Sequence, residues 1–192
     1  YGYARVFGNR ALAETIERHG QVPALSPEET LLALAADDVP TKDQYIDPAR
    51  LPQTYREMLG NILAMPGKLP HVKRLVDIGL EYDSRNREGL TPVQLAGWEG
   101  LPEVMSYFLK LSPDLSHVNN YGGTLLSTII HGSENCTDRE DRDYVACLKL
   151  AMKEGVALPR HAIELAGEEA VQNFLADWAE AHPGQVVEGG LG

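Results

Sequence analysis

A self-match at a spacing of 33 residues constrains this sequence more than any other feature. Three residues of one segment recur in the next, namely Asn86, Gly89 and Thr91 as Asn119, Gly122 and Thr124. A period of about 33 residues is typical of stacked helix–turn–helix units, which bury an apolar core only against their neighbours. The repeat therefore predicts an all-α solenoid, an architecture that offers a surface for binding. The repeated residues give no indication of a catalytic site.

The first copy predicts a turn followed by a helix. Gly89 permits the positive φ of a tight turn. Thr91 can bond neighbouring backbone groups at the helix start, and Pro92 occupies the first helical position without losing a needed hydrogen-bond donor. Ala96 and Gly97 are small, so we expect successive helices to approach each other closely here.

A second apolar helix follows the first in each unit. Its buried positions are Val72, Leu75 and Val76, then Met105, Phe108 and Leu109, then Leu148 and Ala151. The last set is displaced by about ten residues from the 33-residue period, which indicates an insertion. Residues 133–143 are polar and mixed in charge, so we expect them to form an exposed inserted loop.

These residues resemble the ankyrin repeat over roughly residues 69–181. The family motif, Gly-x-Thr-Pro-Leu-His-x-Ala-Ala-x-x-Gly, is similar to residues 89–100. The resemblance implies about three ankyrin-like repeats, with finger turns and inner helices that bind a partner protein. The family's histidine, which ties adjacent repeats by hydrogen bonds, is replaced by Gln94 and Ser127, so we expect a weaker or different tie.

The remaining chain divides around these repeats. Residues 1–67 are predicted as an N-terminal helical region that serves as a cap or as an extra packed subdomain, because terminal units must shield apolar faces. Ser26 followed by Pro27 and Glu29 indicates a helix start with a capping box, and a further helix is predicted over residues 54–65. The repeats with their insert are predicted over residues 68–183, and the Gly-rich residues 184–192 as a flexible tail.

The charge narrows the choice of partner. The chain of 192 residues carries a net charge of −11, with 28 acidic and 17 basic residues. Nucleic-acid backbones and anionic membranes are therefore not expected partners. The sequence lacks a secretion signal pattern and has two cysteines, so we expect a cytoplasmic protein with free thiols.

Seven residues are candidates for the partner-binding surface. By resemblance, the finger turns and inner helices place them there: Arg87, Glu88, Leu90, Trp98, Asn120, Tyr121 and His131. An exposed tryptophan is a typical binding anchor. Trp98 could equally pack inside the fold, and any one finger residue could simply be solvated.

Two other functions stay open. His131 and Cys136 could belong to an enzyme or ligand site, either beneath the insert or between the N-terminal helices and the repeats. Two side chains alone do not make a zinc site or a nucleophile with its base. No phosphate loop or paired-cysteine motif occurs, so we expect no cofactor, metal or catalytic residue. The acidic charge also allows a neutraliser of a basic partner, similar to an immunity protein.

Overall fold

The chain is mostly helical, as the sequence predicts. A computed structural model describes residues 1–41 and 43–189, with 57% helix and 2% strand. The chain forms two compact units, Tyr1–Tyr82 and Asp83–Gly192. Residues 68–82, predicted to belong to the repeats, fall in the first unit because the helix they contain packs on other helices of that unit. Within the described residues, no helix is both long and apolar enough to cross a membrane.

The first unit consists of short helices. They are α1 (Gly2–Val6), α2 (Arg10–His19), α3 (Pro27–Ala36), α4 (Gln53–Arg56), α5 (Met58–Ile62) and α6 (Leu69–Asp77), with a 3-10 turn at Pro48–Arg50. The predicted capping box is confirmed, because Glu29 N donates to Ser26 Oγ at 3.1 Å and Ser26 N donates to Glu29 Oε2 at 2.9 Å. The single helix predicted over residues 54–65 is wrong, since Glu57 leaves helical geometry and separates α4 from α5.

The core of the first unit lies where α6 packs on α3 and α5. Its fully buried side chains include Leu32, Met58, Leu59, Ile62 and Leu75. Two polar contacts fasten the edges of this core: Tyr55 Oη donates to Glu29 Oε1 at 2.9 Å, and Arg5 pairs with Asp37 at 2.8 Å.

The second unit contains the helices that follow the repeated turns. They are α7 (Pro92–Trp98), α8 (Pro102–Leu109), α9 (Leu125–Asn135), α10 (Tyr144–Lys153), α11 (Arg160–Leu165) and α12 (Glu169–Ala181). Helix α7 packs against α8 and α9, and α10 packs against α8 and α9. Two helix pairs therefore lie side by side, with Met105, Phe108 and Leu148 fully buried between them.

Two segments differ from their predicted roles. Helix α9 continues through residues 133–135 and Cys136 is buried, so the exposed inserted segment begins only at Thr137. The chain end predicted as a flexible tail contains regular structure within the described residues. There Pro183–Gln185 forms a 3-10 turn, and β2 (Val186–Val187) pairs in parallel with β1 (Leu158–Pro159). Residues 190–192 of that predicted tail lie outside the described residues.

The two repeated turns share one hydrogen-bond pattern. Asn86 Oδ1 accepts from Glu88 N at 3.0 Å and from Leu90 N at 2.9 Å. Asn119 Oδ1 accepts from the equivalent nitrogens of Tyr121 and Gly123, both at 2.9 Å. Gly89 and Gly122 have φ of 76° and 81°, the left-handed region that glycine adopts without strain. The 33-residue match in sequence is thus a match in local structure.

Candidate binding groove

A groove of about 800 Å³ crosses the second unit. The two repeated turns, α7, α9 and the end of α11 supply its lining residues: Asn86, Glu88, Leu90, Leu95, Trp98, Glu99, Asn119, Tyr121, Gly123, Ser127, Thr128, Ile130, His131, Glu134 and Leu165. Two smaller cavities, of about 370 and 250 Å³, lie in the first unit. The groove is larger than these two cavities, and unlike them it contains residues singled out by the sequence.

Trp98 is held at the groove by the close packing of α7 and α9. Its ring is half-buried and lies 5.3 Å from the His131 ring, centroid to centroid, at a tilt of 55°. A Cβ added at Gly132 would meet the Trp98 carbonyl oxygen, with Trp98 Cα only 2.9 Å away. Tyr144 Oη also donates to the Trp98 carbonyl oxygen at 3.1 Å. The backbone of Trp98 is thus held from two sides, and its ring packs against the ring of His131.

Large apolar side chains elsewhere in the groove face solvent. Tyr121, at the tip of the second turn, is 80% exposed, and Leu165, at the end of α11, is 63% exposed. Leu90 and Leu95 are half-buried in the same lining. Exposed apolar surface that lines one concavity is typical of a binding site, whereas single scattered apolar side chains are not informative.

The charged groups that line the groove are acidic. Glu88, Glu99 and Glu134 line it, and no lysine or arginine does among the described residues. Glu99 is partly neutralised, because Arg142 Nη2 lies 3.8 Å from its Oε2. One oxygen of Glu134 accepts from Gly167 N at 2.7 Å. The Glu88 side chain is exposed and makes no hydrogen bond or ion pair within residues 1–41 and 43–189.

Hydrogen bonds between the two turns hold them at a fixed spacing. Asn120 N donates to the Glu88 carbonyl oxygen at 3.0 Å, and Asn120 Nδ2 donates to the Arg87 carbonyl oxygen at 2.9 Å. His117 Nε2 lies 2.7 Å from the Gly89 carbonyl oxygen. Gln94 Nε2 donates to the His117 carbonyl oxygen at 3.1 Å. Gln94 therefore joins α7 to the segment that leads into the next turn.

Five of the seven candidate residues meet in the groove lining. They are Glu88, Leu90, Trp98, Tyr121 and His131. Arg87 is exposed and lies outside that lining, and the Asn120 amide is engaged in the bond to Arg87. Sequence reasoning missed Glu99, Glu134 and Leu165. Glu99 follows Trp98 directly and could have been found from that adjacency, whereas only the packing of α11 brings Leu165 here.

His131 and Cys136, the second pair of candidate residues, contact different partners. The His131 Nδ1 atom lies 3.0 Å from Asn135 Nδ2, while the buried Cys136 Sγ lies 3.6 Å from Glu99 Oε2. Burial raises the pKa of the other thiol, Cys147, to about 12, so that thiol is protonated at neutral pH. Among the described residues, no group of three or more His, Cys, Asp and Glu side chains is placed to hold a metal ion.

Comparison with known proteins adds no support to the resemblance. A scan of family models found no match to this chain, and neither did a search of curated proteins. A function can therefore be inferred only from the molecule itself, namely from the repeated turns, the Gln94 hydrogen bond and the groove.

Proposed function

We propose that this chain is a protein-interaction module of the ankyrin type, which binds a partner protein in the groove of its second unit. The observation that carries the proposal is the joint position of Trp98, Tyr121 and Leu165 in one concave lining. Binding energy in protein interfaces concentrates in a few aromatic anchors surrounded by less important contacts. A half-buried Trp98 ring packed against His131 and a tyrosine that is 80% exposed fit that role.

The ankyrin assignment is supported by the two equivalent turns. Each turn has an asparagine whose Oδ1 accepts two backbone N–H groups, and each is followed by a helix that begins after a threonine. The hydrogen bonds that the backbone and side-chain amides of Asn120 donate to the preceding turn stiffen both turns. Stiff turns bind with a small loss of conformational entropy, which favours a role as a binding surface.

A small-molecule site is the main alternative. The volume of about 800 Å³ is within the range of such sites. Small-molecule sites, however, bury most of their ligand, and the exposure of Tyr121 and Leu165 describes an open surface instead. The acidic lining also disfavours phosphate-bearing partners such as nucleic acids. A protein partner is therefore the better fit.

Affinity capture with matched variants tests the proposal. The immobilised chain is exposed to an extract of its own cells, and retained proteins are quantified by mass spectrometry. Tyr121→Ala and Trp98→Ala remove groove side chains, whereas Tyr45→Ala removes a tyrosine that is 70% exposed in the first unit and outside the groove. Thermal unfolding of each variant verifies that the fold is intact.

We expect that wild type and Tyr45→Ala retain one or more proteins and that both groove variants fail to retain them. Truncating an anchor commonly costs about 2 kcal/mol or more, which is roughly a thirtyfold loss of affinity. Retention that is unaffected by both groove variants would show that the partner binds elsewhere. Capture of nothing by the wild-type chain would count against a protein-interaction role.

A further inference from the structure

We infer that the groove selects a short extended segment of the partner in which two basic residues flank an apolar one. This inference rests on the proposed function and names the chemistry of the bound segment. The observation behind it is that acidic and apolar side chains line the same groove. Among the described residues, no lysine or arginine lines it. A partner that fills such a groove must supply both an apolar side chain and positive charge.

Two of the three acidic side chains have carboxylate oxygens without a partner among the described residues. Glu88 is exposed, and its carboxylate has no partner within the described residues. Glu134 uses one oxygen to accept from Gly167 N, and its other oxygen makes no hydrogen bond there. Glu99 is already near Arg142, so it contributes less. Electrostatic complementarity of this kind sets partner choice and association rate more than affinity.

The two acids lie toward opposite ends of the groove. Glu88 is in the first turn, next to the starts of α7 and α9, whereas Glu134 is near the end of α9. Along α9, the lining runs from Ser127 to Glu134, two helical turns or about 10 Å. The apolar groups Leu95, Trp98 and Ile130 line the groove between these ends.

An extended segment matches this layout. Side chains two apart on an extended chain face the same side, and residues advance about 3.3 Å each. Basic residues at positions i and i+4 therefore lie about 13 Å apart, with the side chain at i+2 facing the same way between them. The pattern that fits is a basic residue, any residue, an apolar residue, any residue and a second basic residue.

Selection from a random peptide library tests the inference. Seven-residue peptides displayed on phage are selected on the full wild-type chain at low ionic strength, where exposed charges are least screened. The same library is selected in parallel on Trp98→Ala, and both enriched pools are sequenced. The expected result is a set of peptides that require Trp98 and carry Lys or Arg, four residues apart, above the frequency in the unselected library.

The selection distinguishes a failure of the basic-segment inference from a failure of the proposed function. Peptides that require Trp98 but are neutral or acidic would overturn the basic-segment inference and leave the proposed function standing. The absence of any Trp98-dependent enrichment would overturn both. Enrichment of basic peptides that is equal on both proteins would show that charge is recognised outside the groove, and it would overturn the inference as well.

Charge removal then measures the contribution of the two acids. An enriched basic peptide is titrated by fluorescence anisotropy against the double variant Glu88→Gln/Glu134→Gln, in which the amide oxygen introduced at position 134 can still accept from Gly167 N. The matched control is Asp177→Asn/Glu180→Gln, which removes two exposed acids of α12 outside the groove. We expect about fivefold weaker binding to the groove variant, from the usual size of exposed ion pairs. Equal affinities of the two double variants would overturn the inference.

Discussion

The buried histidine of α6 makes the first unit sensitive to acid. His71 is 3% exposed, and neither ring nitrogen has a hydrogen-bond partner within the described residues. Burial lowers its pKa from 6.5 to about 4, assisted by the positive charges of Lys68 and Arg74 and opposed by Asp37. The folded chain therefore keeps this imidazole neutral at a pH where the unfolded chain protonates it.

The size of the effect follows from proton linkage. Between pH 6.5 and about 4, the unfolded chain binds a proton at His71 that the folded chain does not. The free energy of unfolding therefore falls as the pH falls through this window. One pKa unit corresponds to about 1.4 kcal/mol, so the loss between about pH 7 and about pH 4.5 is on the order of 2 kcal/mol.

The substitution His71→Leu removes this dependence. Urea unfolding is followed at pH 7 and pH 4.5 by hydrogen–deuterium exchange of peptides from residues 1–82, which reports the first unit alone. The wild-type free energy of unfolding should fall by about 2 kcal/mol more than that of His71→Leu. Carboxylates titrate in both proteins, so their contributions cancel in this difference.

An exposed histidine of the same unit serves as the control. His19→Leu changes an exposed histidine of the same unit and should leave the wild-type acid sensitivity intact. At pH 7, His71→Leu should be at least as stable as wild type, because it removes two buried nitrogens without partners. Equal acid sensitivity of wild type and His71→Leu would refute the linkage argument.

Three further predictions concern stability, each measured by urea unfolding of the unit concerned. Gly132→Ala forces a Cβ against the Trp98 backbone and should cost about 1–3 kcal/mol. Gly184→Ala should be nearly neutral, because no described residue beyond its chain neighbours lies within 4 Å of the added Cβ; equal effects would contradict the α7–α9 contact. Ser26→Ala removes the α3 cap and should cost about 1 kcal/mol, and an unchanged stability would mean the cap contributes nothing. Asn86→Ala and Asn119→Ala each remove two equivalent bonds and should each cost about 1–2 kcal/mol; widely different costs would show that the turns are not equivalent.

Local chemistry made part of the fold predictable. Ser26 and Glu29 indicate the start of α3, and Pro92 the start of α7, because capping and the fixed φ of proline act within a few residues. The break at Glu57 between α4 and α5 was not predictable, since the apolar pattern runs through it unchanged. The pairing of β1 with β2 was also missed, because two-residue strands far apart in sequence have no periodicity.

The candidate site was predictable to the extent that it follows the repeat. Glu88, Leu90 and Tyr121 occupy turn positions that the 33-residue match identifies, and the structure places all three in the groove lining. Arg87 differs because its neighbour in the turn, not its own side chain, lines the groove. Leu165 lies in the lining through a long-range contact that no local pattern encodes, since Gly167 N, two residues after it, donates to Glu134 Oε1 of α9.

The chain's two tryptophans allow the most direct test of the groove as the binding surface. Trp98 lines the groove, whereas Trp178 lies on α12 with its indole N–H donating to Gln185 Oε1 at 3.0 Å. The two indole N–H signals are recorded by NMR, assigned with Trp178→Phe, and followed as peptide from the enriched pool is added. The account predicts that the Trp98 signal shifts or broadens while the Trp178 signal stays unchanged. A bound peptide that moves only the Trp178 signal, or neither signal, would contradict it.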